Sequence, residues 1–254
     1  MVQESCRVTN VKELAQNIFA LEFLSSNIAR SATPGQFVNI KIDRAAFPLW
    51  RRPMSVCDAE GETVRILFNV VGRGTAVLAR TNPGESIDVV GPLGHGFDTE
   101  RHFDLGVVVA GGLGVAPFSF LTRVLSRKKI PIVTFVGART AKQVVLDGLK
   151  EVSVATDDGS RGYRGSVVDL LRSQLEKLKG SNPVLFACGP TPMFRSLQQL
   201  VREVNILCEA SVETTMACGI GLCQGCPIET VDSPRKYKLA CKDGPVFDLA
   251  KIIL

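Results

Sequence analysis

The run Leu105-Gly106-Val107-Val108-Val109-Ala110 has no polar face. A strand that alternates polar and apolar residues can lie on a surface, but one without a polar side must be covered above and below. The run leads directly into Gly111-Gly112-Leu113-Gly114-Val115-Ala116-Pro117, followed by a helical segment to about Arg127. Further apolar strands are expected at Ile132–Val136, Val152–Ala155 and Val184–Ala187, with helices over 166–178 and 191–203. Apolar strands alternating with helices imply a parallel sheet clad on both faces.

The preceding segment has a different rhythm. Short β-rich runs at Phe37–Ile42, Thr63–Phe68 and Ser86–Val90 are punctuated by Pro34-Gly35, Asn82-Pro83-Gly84 and Gly91-Pro92. That spacing predicts an antiparallel barrel or sandwich. The chain has 254 residues, 45% of them apolar, enough for two cores and a small appendage. The expected fold class is therefore multidomain β plus α/β: an antiparallel β-barrel over 1–100, a parallel-sheet α/β domain over 101–205, and a small Cys- and Gly-rich domain over 206–254. No run of about 18 apolar residues occurs, so no membrane span is expected. Met1–Ser5 has no basic stretch leading into an apolar one, so no secretory signal is expected either. The net charge of +5 is spread along the chain, which argues against nucleic acid as the partner.

Eight cysteines are present, and four of them fall between 218 and 241. A long chain with clustered cysteines reads as a metal or cluster site in a reducing cytoplasm rather than a disulfide scaffold. The spacing Cys218-x4-Cys223-x2-Cys226-x14-Cys241 is the plant-type arrangement for a [2Fe–2S] cluster. Four thiolates hold two irons, and the tight loop must turn its backbone N–H groups toward sulfur. Gly219, Gly221 and Gly225 give that loop its freedom. Structural zinc is the competing reading, but zinc sites pair two short knuckles and Cys241 stands alone. Cys6, Cys57 and Cys208 read as small buried hydrophobes. His95 and His102 lack a second histidine at ligand spacing and read as turn or surface residues.

Three turns suit nucleotides. Gly111, Gly112 and Gly114 follow a strand and open a helix, where backbone N–H groups can meet a pyrophosphate. The G-x-G-x-x-G fingerprint is not satisfied, and a plain strand-to-helix connection is the alternative. Cys188-Gly189-Pro190 follows the strand Val184–Ala187 in the same manner, and ligands of open parallel sheets bind at strand carboxyl ends. Asp157, in Thr156-Asp157-Asp158-Gly159-Ser160, offers a carboxylate for ribose hydroxyls, or marks an ordinary Asp-Gly turn. In the first domain, Arg52 and Ser55 of Arg51-Arg52-Pro53-Met54-Ser55 combine a charge and a hydroxyl suited to phosphate.

In this order the motifs resemble the ferredoxin–NADP reductase superfamily, in which a barrel binds FAD through Arg-x-Tyr-Ser and an α/β domain binds a nicotinamide nucleotide. Arg52-Pro53-Met54-Ser55 stands in the first place, with Met54 where an aromatic residue usually stacks on the flavin. The tail Met216–Cys226 and Ala240–Asp248 is similar to one branch, the electron transfer subunits of NAD-linked (class B) dihydroorotate dehydrogenase. The likeness runs from barrel to tail. It implies FAD contacts at Arg52, Pro53, Met54, Ser55, Asn69, Val70, Val71, Gly74 and Thr75. It implies NAD contacts at Gly111, Gly112, Gly114, Gly189 and Pro190, with Cys188 near the nicotinamide. It further implies a [2Fe–2S] cluster on Cys218, Cys223, Cys226 and Cys241. The implied partner is an FMN-containing catalytic subunit, two copies of each chain forming a heterotetramer in the cytoplasm. Electrons from dihydroorotate would then reach NAD+ through the cluster and FAD, in pyrimidine biosynthesis. NAD rather than NADP follows from the resemblance and not from the spacing, because Arg139, Arg161 and Arg164 stand close to the ribose turn, where basic residues would suit a 2′-phosphate. A subunit of a hydrogenase or of a ferredoxin–NADP transhydrogenase shares the same modules. A zinc-tailed nucleotide-binding module without activity is the alternative from a different class.

Overall fold

The computed structural model describes residues 1–42, 50–178, 180–231 and 236–254, with Lys177 described by its backbone alone. The early alternation produces strands with one inward face. β1 (Val2–Ala15), β2 (Ile18–Leu24), β3 (Phe37–Lys41), β4 (Arg52–Glu60), β5 (Thr63–Asn69) and β6 (Ser86–Leu93) close a barrel in the order β1-β2-β5-β4-β3-β6. Two short helices, α1 (Ser26–Ser31) and α2 (Arg73–Leu78), attach to it. Val38, Ile40, Val56, Val64, Ile66 and Val89 are fully buried inside. Each such side chain contributes about 1.5–3 kcal/mol of burial.

The second layer is the expected parallel sheet. β7 (Leu105–Gly111) is its centre, followed in sequence by α3 (Phe118–Arg127), β8 (Ile132–Ala138), β9 (Val152–Thr156), β10 (Tyr163–Arg164), α4 (Val167–Ser173), β11 (Pro183–Cys188) and α5 (Thr191–Val204). Val107, Val108 and Val109 have no exposed surface, as the lack of a polar face requires. The helix expected over 166–178 is two pieces, α4 and a 3-10 turn at Leu175–Leu178. The Ser173 hydroxyl bonds back to the Leu170 carbonyl at 2.7 Å, a side-chain competitor at the point where the helix ends. α5 stops at Asn205, which takes the left-handed conformation that closes many helices.

The tail is stitched into this layer. β12 (Cys208–Ser211) pairs in parallel with β11 although it lies beyond residue 205. After a small hairpin of β13 (Pro227–Glu229) and β14 (Tyr237–Leu239), β15 (Val246–Asp248) pairs antiparallel with β12 and forms the edge. The sheet order is β10-β9-β8-β7-β11-β12-β15. Among the described residues no helix is long and apolar enough to cross a membrane.

Barrel and α/β layer meet along α3. Arg123 bonds the Asp58 carboxylate through Nε at 2.9 Å and Nη2 at 2.5 Å, and the Ala59 carbonyl at 2.5 Å. Arg65 on β5 pairs with Asp147 across the same seam.

Candidate cofactor and cluster sites

The four tail cysteines come together in two neighbourhoods. Cys226 and Cys241 are buried with sulfurs 3.2 Å apart. Cys218 and Cys223 lie nearer the surface, joined by the Cys223 N–H donating to the Cys218 sulfur at 3.4 Å. Ile220 N–H also faces Cys218 at 3.5 Å, Gly221 N–H faces Cys241 at 3.1 Å, and Gly225 N–H faces Cys223 at 3.4 Å. The loop therefore turns its donors inward. Gly219 and Gly221 do this with φ of +72° and +81°, where a Cβ is strained. Burial works against ionising Cys218, yet the N–H groups of Cys223 and Ile220 bring its thiol down to about 6. Burial, then the neighbouring Cys226, pushes Cys241 up to about 12. Among the described residues no three side chains close on a single metal ion. Two sulfur pairs under inward N–H groups are the donor set a two-iron cluster asks for, and the residues fit that group.

This loop rests on the barrel. The Asn39 side chain on β3 donates to the Cys218 carbonyl at 3.2 Å. His95 N–H donates to the Gly244 carbonyl at 2.6 Å, fastening the strand end after β6 to the segment behind Cys241. Phe37 and Leu93 leave the barrel to join the core that holds Cys226, Cys241 and Phe247.

On the barrel wall, Arg52 and Arg51 part ways. Arg51 is structural: it pairs with Asp88 at 2.7 Å and donates to the Asp88 carbonyl at 3.2 Å. Arg52 bonds the Trp50 carbonyl at 2.7 Å and lays its guanidinium against Gly74, where an added Cβ would sit 3.3 Å from Nε. Met54 packs into the barrel core and pairs with Val38, while Pro53 and Ser55 are half-buried. The Thr75 hydroxyl accepts from the N–H groups of Val71 and Gly72 at 3.0 and 3.3 Å, so it shapes the 70–75 loop. Val71 is 81% exposed on that loop. The buried Asn69 Oδ1 at its base has no partner among the described residues. A loop held open beside a guanidinium, over an unsatisfied acceptor, fits a flavin nucleotide.

The two glycine turns interlock at the carboxyl ends of neighbouring strands. A Cβ on Gly114 would lie 2.1 Å from the Cys188 carbonyl oxygen and 2.7 Å from Gly189 N. Gly111 faces Pro190 and Met193 at 2.8 Å in the same sense. Asp157 follows β9 two strands away, and its N–H donates to the Ala138 carbonyl at 3.1 Å. The neighbouring Asp158 carboxylate accepts from the Ser160 N–H and hydroxyl at 2.9 and 2.6 Å. Asp158 thus builds the turn, and Asp157 is left exposed on it.

Cys188 is 2% exposed and burial raises its thiol above the ordinary range. Sequence reasoning missed Glu213, which lies within electrostatic reach of that thiol. Its own side chain is exposed. No motif marks it, only its place just after β12. Cys6, Cys57 and Cys208 are each 1% exposed, and burial raises all three thiols. His102 is 91% exposed. A cavity of about 800 Å³ opens at the opposite end of the sheet, near Arg101, Asn182 and Ile206, and no site residue lines it.

A closed barrel and a parallel sheet with glycine turns at its carboxyl edge make up the ferredoxin–NADP reductase fold, here carrying a four-cysteine loop. A ferredoxin NADP+ reductase from Neisseria gonorrhoeae, solved with bound FAD and NADP, shares that fold with a TM-score of 0.67 at 15% identity, over 79% of this chain and 91% of that one. The NADH-dependent reduced ferredoxin-NADP oxidoreductase matches with a TM-score of 0.86 at 28% identity, over 98% of this chain and 89% of that one. Residues 213–253 match the iron-sulfur cluster binding domain of dihydroorotate dehydrogenase B. The dihydroorotate dehydrogenase B (NAD(+)) electron transfer subunit of a Geobacillus species is 36% identical over all of both chains. That of Desulforamulus reducens is 34% identical over 97% of each. The chain belongs to this family of electron transfer subunits, and it is an oxidoreductase component.

Proposed function

We propose that the chain carries electrons from an FMN-containing catalytic subunit that oxidises dihydroorotate to NAD+, holding FAD and a [2Fe–2S] cluster of its own. The observation that carries the reading is the set of four free cysteines gathered under inward backbone N–H groups. When bound, FAD and the cluster supply the exchange between hydride and single electrons.

Arg52 and Ser55 hold the FAD phosphates, and Pro53, Met54, Asn69, Val70, Val71, Gly74 and Thr75 form the wall and loop around the flavin. Gly111, Gly112, Gly114, Gly189 and Pro190 bring backbone N–H groups to the NAD pyrophosphate, while Asp157 accepts from ribose hydroxyls. Cys188 walls the nicotinamide pocket. Its raised thiol suits a shape-giving role rather than attack on substrate. Cys218, Cys223, Cys226 and Cys241 ligate the cluster. We place the three domains at 1–100, 101–205 and 206–254 in function, with β12 and β15 lent by the last to the sheet of the second. The exposed Ile220 and Leu222 give the partner an apolar contact beside the cysteines, in an assembly of two copies of each chain. Eight free thiols suit the cytoplasm.

The test mixes the purified chain with the FMN-containing catalytic subunit and follows dihydroorotate-dependent reduction of NAD+. Cys226→Ser removes the cluster, abolishes that reaction, and leaves NADH-to-flavin transfer largely intact. A Cys226→Ser variant that still passes electrons at the full rate would refute the route.

A further inference from the structure

Asn39 is a polar side chain in a place built for an apolar one. It is 1% exposed on β3. Its strand neighbours Val38 and Ile40 face the barrel core, so Asn39 shares the outer face with Phe37, which packs among Cys226, Cys241 and Phe247. Burying an amide there is unfavourable unless its groups are bonded. One is: Nδ2 donates to the Cys218 carbonyl at 3.2 Å. A carbonyl oxygen can only accept, so this bond fixes the amide's orientation. Oδ1 must then point away, and it is buried without a partner among the described residues. The loop presses close on the same amide nitrogen, since a Cβ on Gly219 would sit 2.5 Å from Nδ2. Across the ladder, Asn39 stands opposite Pro53, inside the Arg52–Ser55 segment. Behind it, Arg51 donates to the Asn39 carbonyl at 3.4 Å while paired to Asp88 at 2.7 Å.

We propose that Asn39 is a positioning residue that clamps the Cys218–Cys223 loop onto the barrel wall, and so governs electron exchange between the flavin and the cluster. This rests on the cluster and FAD reading above. The clamp links one residue of the flavin-side ladder to the backbone of the first ligand. Its loss frees the loop while leaving the nicotinamide crease, on other strands, untouched.

The experiment uses the full purified chain without oxygen, unsubstituted and as Asn39→Leu, which keeps the bulk and removes the donor. Stopped-flow mixing with NADH follows flavin reduction, rapid freezing with electron paramagnetic resonance follows cluster reduction, and a chelator assay follows iron loss. One lost hydrogen bond corresponds to about fivefold. Cluster reduction should slow, and iron loss accelerate, by at least about that factor, while flavin content and flavin reduction stay near the unsubstituted values. If Asn39→Leu does not fold, Asn39→Ala, which removes the donor without adding a branched side chain, should give the same split. Unchanged cluster reduction and iron loss in either folded variant overturn the proposal. An equal fall in flavin content and in both rates overturns it too, because that marks a role in barrel stability alone. If the unsubstituted chain holds no cluster, the underlying reading fails and the clamp fails with it, so the two failures are told apart at the first measurement.

Discussion

Replacing Gly114 with alanine should break the nucleotide crease, and the size of the effect can be worked from the interlocked turns. The added Cβ would stand 2.1 Å from the Cys188 carbonyl oxygen and 2.4 Å from its carbon. Comfortable heavy-atom contact begins near 3.5 Å. The turns must therefore separate by more than ~1 Å, and the obstructing atoms are backbone, with no flexible end to swing aside. Overpacking costs typically ~1–3 kcal/mol, and rigid backbone on both sides places this case near ~3 kcal/mol. For a chain of this size that is a melting shift of about 6–12 °C. Gly112→Ala provides the contrast. Its φ of +57° is strained for alanine, but nothing among the described residues lies within 4 Å of the new Cβ. That strain costs about 1 kcal/mol, a shift of about 2–4 °C. Because the displaced groups form the proposed NAD cradle, Gly114→Ala should also weaken NADH binding by at least about tenfold, or ~1.4 kcal/mol, with flavin content unchanged. Calorimetry and a spectrophotometric NADH titration read both effects. If Gly114→Ala melts with Gly112→Ala and binds NADH as the unsubstituted chain does, the interlocking account of the crease is wrong.

Arg52→Ala should cut FAD retention by about 10–100-fold, the worth of a charge-assisted phosphate contact; a flavin-to-protein ratio unchanged after gel filtration would remove Arg52 from the site. Arg123→Ala strips Asp58 of its partner and the Ala59 carbonyl of its donor in a seam where Arg123 is only 19% exposed, so stability to denaturant should fall by about 2–3 kcal/mol. The exposed pair Arg127–Glu60 is the control, and Arg127→Ala should cost no more than ~1 kcal/mol. Burial raises the pKa of Glu209, so its folded form holds a proton more tightly than the unfolded chain does. Its contribution to stability is full below the ordinary carboxylate pKa of about 4.3 and is lost as pH rises through the raised value. Glu209→Gln still accepts from the Asp98 N–H that Glu209 binds at 2.9 Å, and should gain stability relative to the parent as pH rises from about 4 to 7. Parallel melting curves for the two proteins across that range would contradict this.

Much of the architecture is legible because it follows from periodicity. Leu105–Ala110 lacks a polar face, and Val107–Ala110 lie fully buried at the centre of the sheet. The cysteine spacing carries its chemistry openly, because a short loop around a cluster constrains both ligands and glycines. What escapes reading is set by distant contacts. Cys208-Glu209-Ala210-Ser211 carries no strand signal, yet it is buried between β11 and β15, where pairing on both sides decides its conformation. Arg51 and Arg52 are adjacent and alike in chemistry, and that Arg51 is a structural brace shows only through Asp88, on a strand far along the chain. Asn39 and Glu213 belong to no motif, and each gains its meaning from a segment well removed from it in sequence.

Anaerobic titration of the purified chain with NADH, read by absorption and electron paramagnetic resonance together with iron and zinc analysis, tests the central claim most directly. The account predicts bleaching of a bound flavin, the signal of a reduced [2Fe–2S] cluster, and about two irons per chain. A colourless protein with zinc, no iron and no flavin would contradict it.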